Sequence, residues 1–221
     1  NASIMDLTGI EDFTALTQLN CYENQITTLN LSQNTVLTHL DCSTNYLPGL
    51  YLNNNIEISY LAFGQNPVET IDLTGNTALT ELSCGQTSLI NLDVSENIGL
   101  TSLWCAQNTF SKLNLSENSA LTALYCFESQ LTCLNVKNGN NTNMNIFTSL
   151  NNPNLTCIEV DDIGWSSTNW SSIDTQTSFN INCNNPCVVG VEENRLSKLS
   201  LYPNPTTGII TIDLGETLTK P

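Results

Sequence analysis

Apolar positions along residues 14–139 return at intervals of 21. Leu16, Leu37, Ile58, Leu79, Leu100 and Leu121 form one column, and Leu19, Leu40, Leu61, Leu82, Leu103 and Leu124 form another. A third holds Cys21, Cys42, Cys84, Cys105 and Cys126, with Phe63 in the remaining slot. Three more columns, starting at Ile26, Leu29 and Leu31, stay apolar through every copy, and no copy carries an insertion. Inside each copy apolar and polar residues alternate, as in Leu19-Asn20-Cys21 and Leu29-Asn30-Leu31. Alternation with a period of two predicts short strands with one inward face, and helical spacing is missing throughout the repeats.

A unit this small cannot bury its own apolar face, but stacked copies share one continuous core. The pattern therefore predicts a mainly β chain: a parallel β-solenoid of 21-residue coils, two short strands per coil, capped at both ends. Six coils at about 4.8 Å each make a rod roughly 29 Å long. Asn24, Asn45, Asn66 and Asn108 recur in one column, with Thr87 and Ser129 substituting; Asn34, Asn55, Asn76, Asn97 and Asn118 recur in another. Each stands where the chain leaves a strand and turns. An inward amide there can donate to and accept from neighbouring backbone, so these columns read as structural.

The segment Leu16-Thr-Gln-Leu19-Asn-Cys21-Tyr-Glu-Asn24-Gln-Ile26 resembles the leucine-rich repeat, and the match recurs in all six copies. The second half of each unit departs from that family, repeating the strand-like pattern instead of supplying a helix, which predicts a flatter arc than a horseshoe. Residues 1–13, with Ile4, Leu7, Ile10 and Phe13, read as an N-terminal cap, and 14–139 as six repeats. Residues 140–187 read as a variant last coil and C-terminal cap. There Leu155-Thr-Cys157-Ile-Glu-Val160 echoes Leu131-Thr-Cys133-Leu-Asn-Val136, and Trp165, Trp170 and Phe179 are suited to sealing a core end. A short helical turn is expected near Ser167–Asp174.

Residues 188–197 read as a linker rich in turn formers and acids. Beyond it, Tyr202-Pro203-Asn204-Pro205-Thr206-Thr207-Gly208 resembles the opening of the C-terminal sorting domain carried by cargo of the type IX (Por) secretion system of Bacteroidetes, so 198–221 reads as its incomplete start. The cap also looks like those of flavobacterial repeat proteins. The resemblance implies export, contact with that machinery, and an extracellular or outer-surface location on a Gram-negative bacterium. Asn1 is neither an initiator Met nor the start of a signal peptide, as expected of a processed or trimmed segment.

Five of the nine cysteines lie in the repeating column, where Cys behaves as a small hydrophobe. Parallel side chains in one straight column are poorly aimed for disulfides or for tetrahedral metal binding, so this column is expected to stay reduced. Cys133, Cys157, Cys183 and Cys187 cluster near the cap, and an exported protein can keep disulfides there. Cys157 is expected to pair with Cys183, with the partners of Cys133 and Cys187 left open.

Charge narrows the functions. Asp and Glu total 21 against 5 Lys and Arg, a formal charge of −16, which opposes binding to nucleic acid or anionic membranes. No apolar run is long enough to span a bilayer. His39 is the only histidine, so triads and histidine-based metal sites have no raw material. No phosphate loop appears, and the acids are scattered. The chain is read as a non-enzyme without cofactor or metal.

Recognition then falls to outward strand positions. The first strand edge offers Tyr22, His39, Tyr60, Trp104, Tyr125 and Phe127, whereas the second edge offers one aromatic, Tyr51. Exposed aromatics gathered on one face mark a recognition surface. The reading is a secreted or cell-surface module that binds a protein or glycan through this edge. A structural spacer of a larger surface protein is the alternative; ice binding through the Thr17–Thr122 column is a weaker one.

Overall fold

The computed structural model describes residues 3–184, Cys187, and the backbone of two strands within 200–213. Two compact units emerge, 1–189 and 190–221. The first is a stack of short coils, each of which contributes a three-residue strand to one edge. These are β1 (Gln18–Asn20), β2 (His39–Asp41), β3 (Tyr60–Ala62), β4 (Glu81–Ser83), β5 (Ser102–Trp104), β7 (Ala123–Tyr125) and β9 (Ile146–Thr148). They pair in parallel in that order, forming a seven-stranded sheet. The fold is a mainly β parallel solenoid with little helix, as the periodicity predicts.

The register follows the sequence period. Leu40 pairs with Leu19 on one side and Leu61 on the other, so each apolar column becomes a stripe of side chains stacked at the interstrand spacing. The stripes beginning at Leu19, Cys21, Ile26, Leu29 and Leu31 all join the core, with Leu19, Leu29 and Ile71 only partly buried. No regular helix interrupts residues 14–139.

The second edge departs from the expectation of a strand in every coil. Only β6 (Lys112–Asn114), β8 (Cys133–Asn135), β10 (Cys157–Glu159) and β11 (Ser178–Asn180) pair there, in a four-stranded sheet. Earlier coils make isolated bonds, such as Tyr46 N–H to Ile26 O at 2.9 Å and Ser88 N–H to Val68 O at 3.0 Å. Pro48 and Pro67 remove donors on that edge, and Gly49 is a poor strand former. Leu29, Leu50, Ile71 and Leu92 still face inward, because burial needs alternation but not a ladder.

The asparagines turn the corners. Asn45 Nδ2 donates to the carbonyls of Cys21, Cys42 and Ser43 at 3.0–3.1 Å, and its Oδ1 accepts from Ile26 N–H at 2.9 Å. Asn66 and Asn108 repeat this one and three coils on. The second column is leaner. Asn97 Nδ2 donates to Leu73 O and Asn76 O, while the Oδ1 atoms of Asn34, Asn55, Asn97 and Asn118 accept no bond from the described residues.

At the N-terminal end Leu7 and Ile10 pack against the core, but Phe13 stays largely exposed, so its contribution is its backbone: Asn34 Nδ2 donates to Ile10 O and Phe13 O, both at 2.9 Å. At the other end Trp170 is buried, stacks on Phe147 at 4.2 Å, and donates from Nε1 to Met144 O. The helix before it, α1 (Ile163–Asn169), begins earlier than the sequence reading placed it, because Asp162 caps it by accepting from Trp165 N–H at 3.0 Å. Two disulfides, Cys157–Cys183 and Cys133–Cys187, fasten this end. The column cysteines are buried and unpaired.

In the second unit β12 (Ser200–Pro203) and β13 (Ile210–Asp213) pair antiparallel. Most of the linker 188–197 and of the sorting segment, including Asn204–Gly208, lies outside the described residues.

Candidate functional site

Outward positions of the seven-stranded sheet carry the exposed aromatics, and the register sorts them into separate groups. Trp104 pairs directly with Tyr125 across β5 and β7. Their rings stack with centroids 4.6 Å apart at 27°, and Phe127 meets Trp104 edge-on at 5.8 Å. Trp104 remains 41% exposed. Such aromatic pairs contribute about 1 kcal/mol beyond area burial, so the three rings hold one another in place before any ligand arrives.

His39 and Tyr60 form a second, looser group, stacked at 6.1 Å. The His39 ring also contacts Thr38 Oγ1 through Nδ1 at 2.8 Å. Burial, followed by the carboxylates of Asp41 and Glu81, pushes the Tyr60 hydroxyl above its ordinary pKa. Tyr22 is exposed and makes no ring contact among the described residues. Glu81, Ser83 and Ser102 separate the groups, so the six aromatic candidates do not form one site.

Three features of the Trp104 site were hidden in the repeat. The first is its floor. A Cβ built on Gly85 would lie 2.6 Å from Trp104 Nε1 and 2.7 Å from Cδ1, so the indole lies over a position where only glycine leaves room. The second is its extension. The last coil is longer, and Ala123 pairs with Ile146, two residues beyond the 21-residue interval. That shift sets Leu150 beside the Phe127 position, where Leu150 O accepts from Glu128 N–H at 2.8 Å. Ile146 and Leu150 are both exposed, and enlarge the apolar surface.

The third is a border. Glu23, Thr44, Gln65, Gln86, Gln107, Glu128 and Asn151 all have φ between 51° and 60°, the left-handed region that costs a non-glycine residue roughly 1 kcal/mol. The side chains from Thr44 to Glu128 form a continuous rail. Thr44 Oγ1 donates to Gln65 Oε1 at 2.6 Å, Gln65 Nε2 to Gln86 Oε1, Gln86 Nε2 to Gln107 Oε1, and Gln107 Nε2 to Glu128 Oε2 at 2.6 Å. Every donor points the same way, toward the carboxylate of Glu128, the residue after Phe127.

The arrangement offers stacking faces and fixed hydrogen-bonding groups. Among the described residues no three His, Cys, Asp or Glu side chains gather as a metal site, and no helix is long and apolar enough to cross a membrane. The thiols inside the stack are unsuited to nucleophilic chemistry, since burial pushes Cys21 to about 11 and Cys84 to about 12.

No family model matches the chain. Over 35 residues it is 66% identical to Internalin J of Listeria monocytogenes, a stretch covering 16% of this chain and 4% of that protein. The solved functional domain of InlJ from the same organism, described as including a cysteine ladder, is 31% identical, with 74% of this chain and 48% of that chain covered and a TM-score of 0.41. An internalin (inlF) of L. monocytogenes is 21% identical, with 78% and 50% covered and a TM-score of 0.63, which places this chain in the leucine-rich-repeat fold. The chain spans about half the length of these solved relatives.

Proposed function

We propose that this chain is the recognition module of an exported bacterial surface protein, and that it binds a protein through the outward face of its seven-stranded sheet. The observation that carries the reading is the Trp104–Tyr125–Phe127 cluster, three rings pre-assembled on the surface, extended by Ile146 and Leu150. Core packing does not require a Trp at a position whose column otherwise holds Asn20, Asp41, Ala62, Ser83 and Tyr125. Rigid aromatics on an exposed sheet are the anchors around which protein interfaces concentrate their energy. The internalin likeness supports a binding scaffold, not a catalyst. Export to the outer surface is supported by the two disulfides at the cap and by the resemblance of 202–208 to a type IX sorting sequence. The formal charge of −16 argues against nucleic acid as the partner.

The test is a parallel screen of displayed peptides and a glycan array, run on the wild type and on Trp104→Ala. Peptide ligands that lose affinity about thirtyfold in a folded Trp104→Ala variant support the reading. Glycan ligands alone would replace the protein partner with a sugar, and binding indifferent to Trp104 would move the site. A chain that retains nothing in either screen is a spacer.

A further inference from the structure

The identity of the residue that docks against the Trp104 cluster can be argued from the charge around it. Only Lys112 and Lys137 carry positive charge among the described residues, and both belong to the second edge: Lys112 lies in β6, and Lys137 Nζ donates to Ile181 O at 3.1 Å. The seven-stranded face instead carries Asp41 and Glu81 on its strands, with Glu23 and Glu128 at the left-handed positions that follow. It holds aromatic rings and carboxylates without a cation to neutralise them.

Glu128 is the carboxylate nearest the rings in sequence, following Phe127 directly. Its left-handed backbone, its N–H bond to Leu150 O and the Gln107 bond to Oε2 fix the group. Its Oε1 accepts no hydrogen bond from the described residues, so one oxygen is available to a ligand. The rail strengthens the arrangement, since aligned amides polarise one another toward the charge at their end. A carboxylate in the residue after Phe127, whose ring meets Trp104 at 5.8 Å, matches the two attractions a guanidinium or ammonium group makes at once, a charge-assisted hydrogen bond and a cation–π contact.

We propose that the protein partner presents an exposed cationic side chain, Arg or Lys, which docks against Trp104 and Tyr125 and pairs with Glu128. This rests on the reading of the Trp104 cluster as the binding face. The remaining acids of the face, Asp41 and Glu81, extend a negative field that steers a basic surface toward the cluster. Apolar residues on the same partner meet Ile146 and Leu150 at the far side.

The experiment pans short random peptides displayed on phage against the wild-type chain, with Trp104→Ala for counter-selection. The retained peptides are then measured on Glu128→Gln. Gln at position 128 keeps an acceptor for Gln107 Nε2 and takes the backbone conformation that Gln65, Gln86 and Gln107 already adopt, so the substitution removes charge and leaves the rail. Retained peptides should be enriched in Arg or Lys. They should bind Glu128→Gln about tenfold more weakly, and should weaken further as salt shortens electrostatic reach. Peptides that need Trp104 but carry no cation, or bind Glu128→Gln as well as wild type, overturn the cationic partner and leave the aromatic site standing. Peptides indifferent to Trp104, or none retained, overturn the aromatic site and this inference with it.

Discussion

Trp104 occupies the space that any side chain at position 85 would need: its Nε1 lies 2.6 Å from where a Gly85 Cβ would be. Ala106 O lies 3.1 Å from the same point, so backbone closes the other side. Gly85→Ala should therefore lift the indole off its floor and loosen its stack on Tyr125. The chain should lose about 1 kcal/mol, the order of one aromatic pair, with a changed near-ultraviolet circular dichroism spectrum and unchanged secondary structure. An unaltered near-ultraviolet spectrum would show that the indole does not depend on Gly85.

The two asparagine columns should differ in cost. Asn66→Ala strands the carbonyl of Phe63 and the N–H of Leu47, whereas Cys42 O keeps Asn45 Nδ2 and Gly64 O keeps Thr44 N–H. Asn97→Ala strands neither carbonyl, since Leu73 O keeps Asn76 N–H and Asn76 O keeps Leu79 N–H, and it removes an Oδ1 that bonds nothing described. With each buried orphan costing about 1 kcal/mol or more, thermal melts should rank Asn66→Ala well below Asn97→Ala. Thr87 fills an Asn slot with a shorter reach, bonding Cys84 O and Asn108 Oδ1. Thr87→Asn should raise stability by about 1 kcal/mol.

Closing a 26-residue separation, Cys157–Cys183 restricts the unfolded chain by about 3 kcal/mol on a loop-entropy basis. Reduction should lower the melting temperature and raise hydrogen exchange around β10, β11 and α1 first, with β1–β4 still protected. Uniform loss of protection along the stack would contradict a local role for the cap.

The buried thiols give a signed pH dependence. Burial raises Cys84 from 9.0 to about 12, so the folded state holds its proton where the unfolded chain releases it. The contribution is fully present below about pH 9 and is lost as pH rises from there toward 12. Between pH 8 and 10 the wild type should lose more stability than Cys84→Ala, measured by urea denaturation. Parallel curves would mean the thiol titrates alike in both states.

Much of this molecule was legible in its period. The Leu, Cys and Asn columns identify the core and its corner bonds because each coil solves the same packing problem, and pairing Trp104 with Tyr125 follows once the register is known. What escaped had local causes. Ile146 and Leu150 were invisible beside Phe127 because the last coil breaks the interval. Pro48 and Pro67 each take an N–H from the second edge, which the apolar columns do not register. The rail of Gln65, Gln86, Gln107 and Glu128 was present as a column, but its left-handed backbone and directional bonding appear only in three dimensions. The pairing of Cys133 with Cys187 needed the cap's geometry.

On this reading, ligand meets the seven-stranded sheet at its Trp104 end. Chemical-shift mapping of the isotope-labelled chain with a retained peptide tests it without any substitution. Perturbations should concentrate on Ser102–Trp104, Ala123–Tyr125, Phe127, Glu128 and Ile146–Leu150, with the Trp104 indole N–H among the largest. Shifts centred instead on Lys112–Asn114 and Cys133–Asn135, or on the His39–Tyr60 end alone, would contradict it.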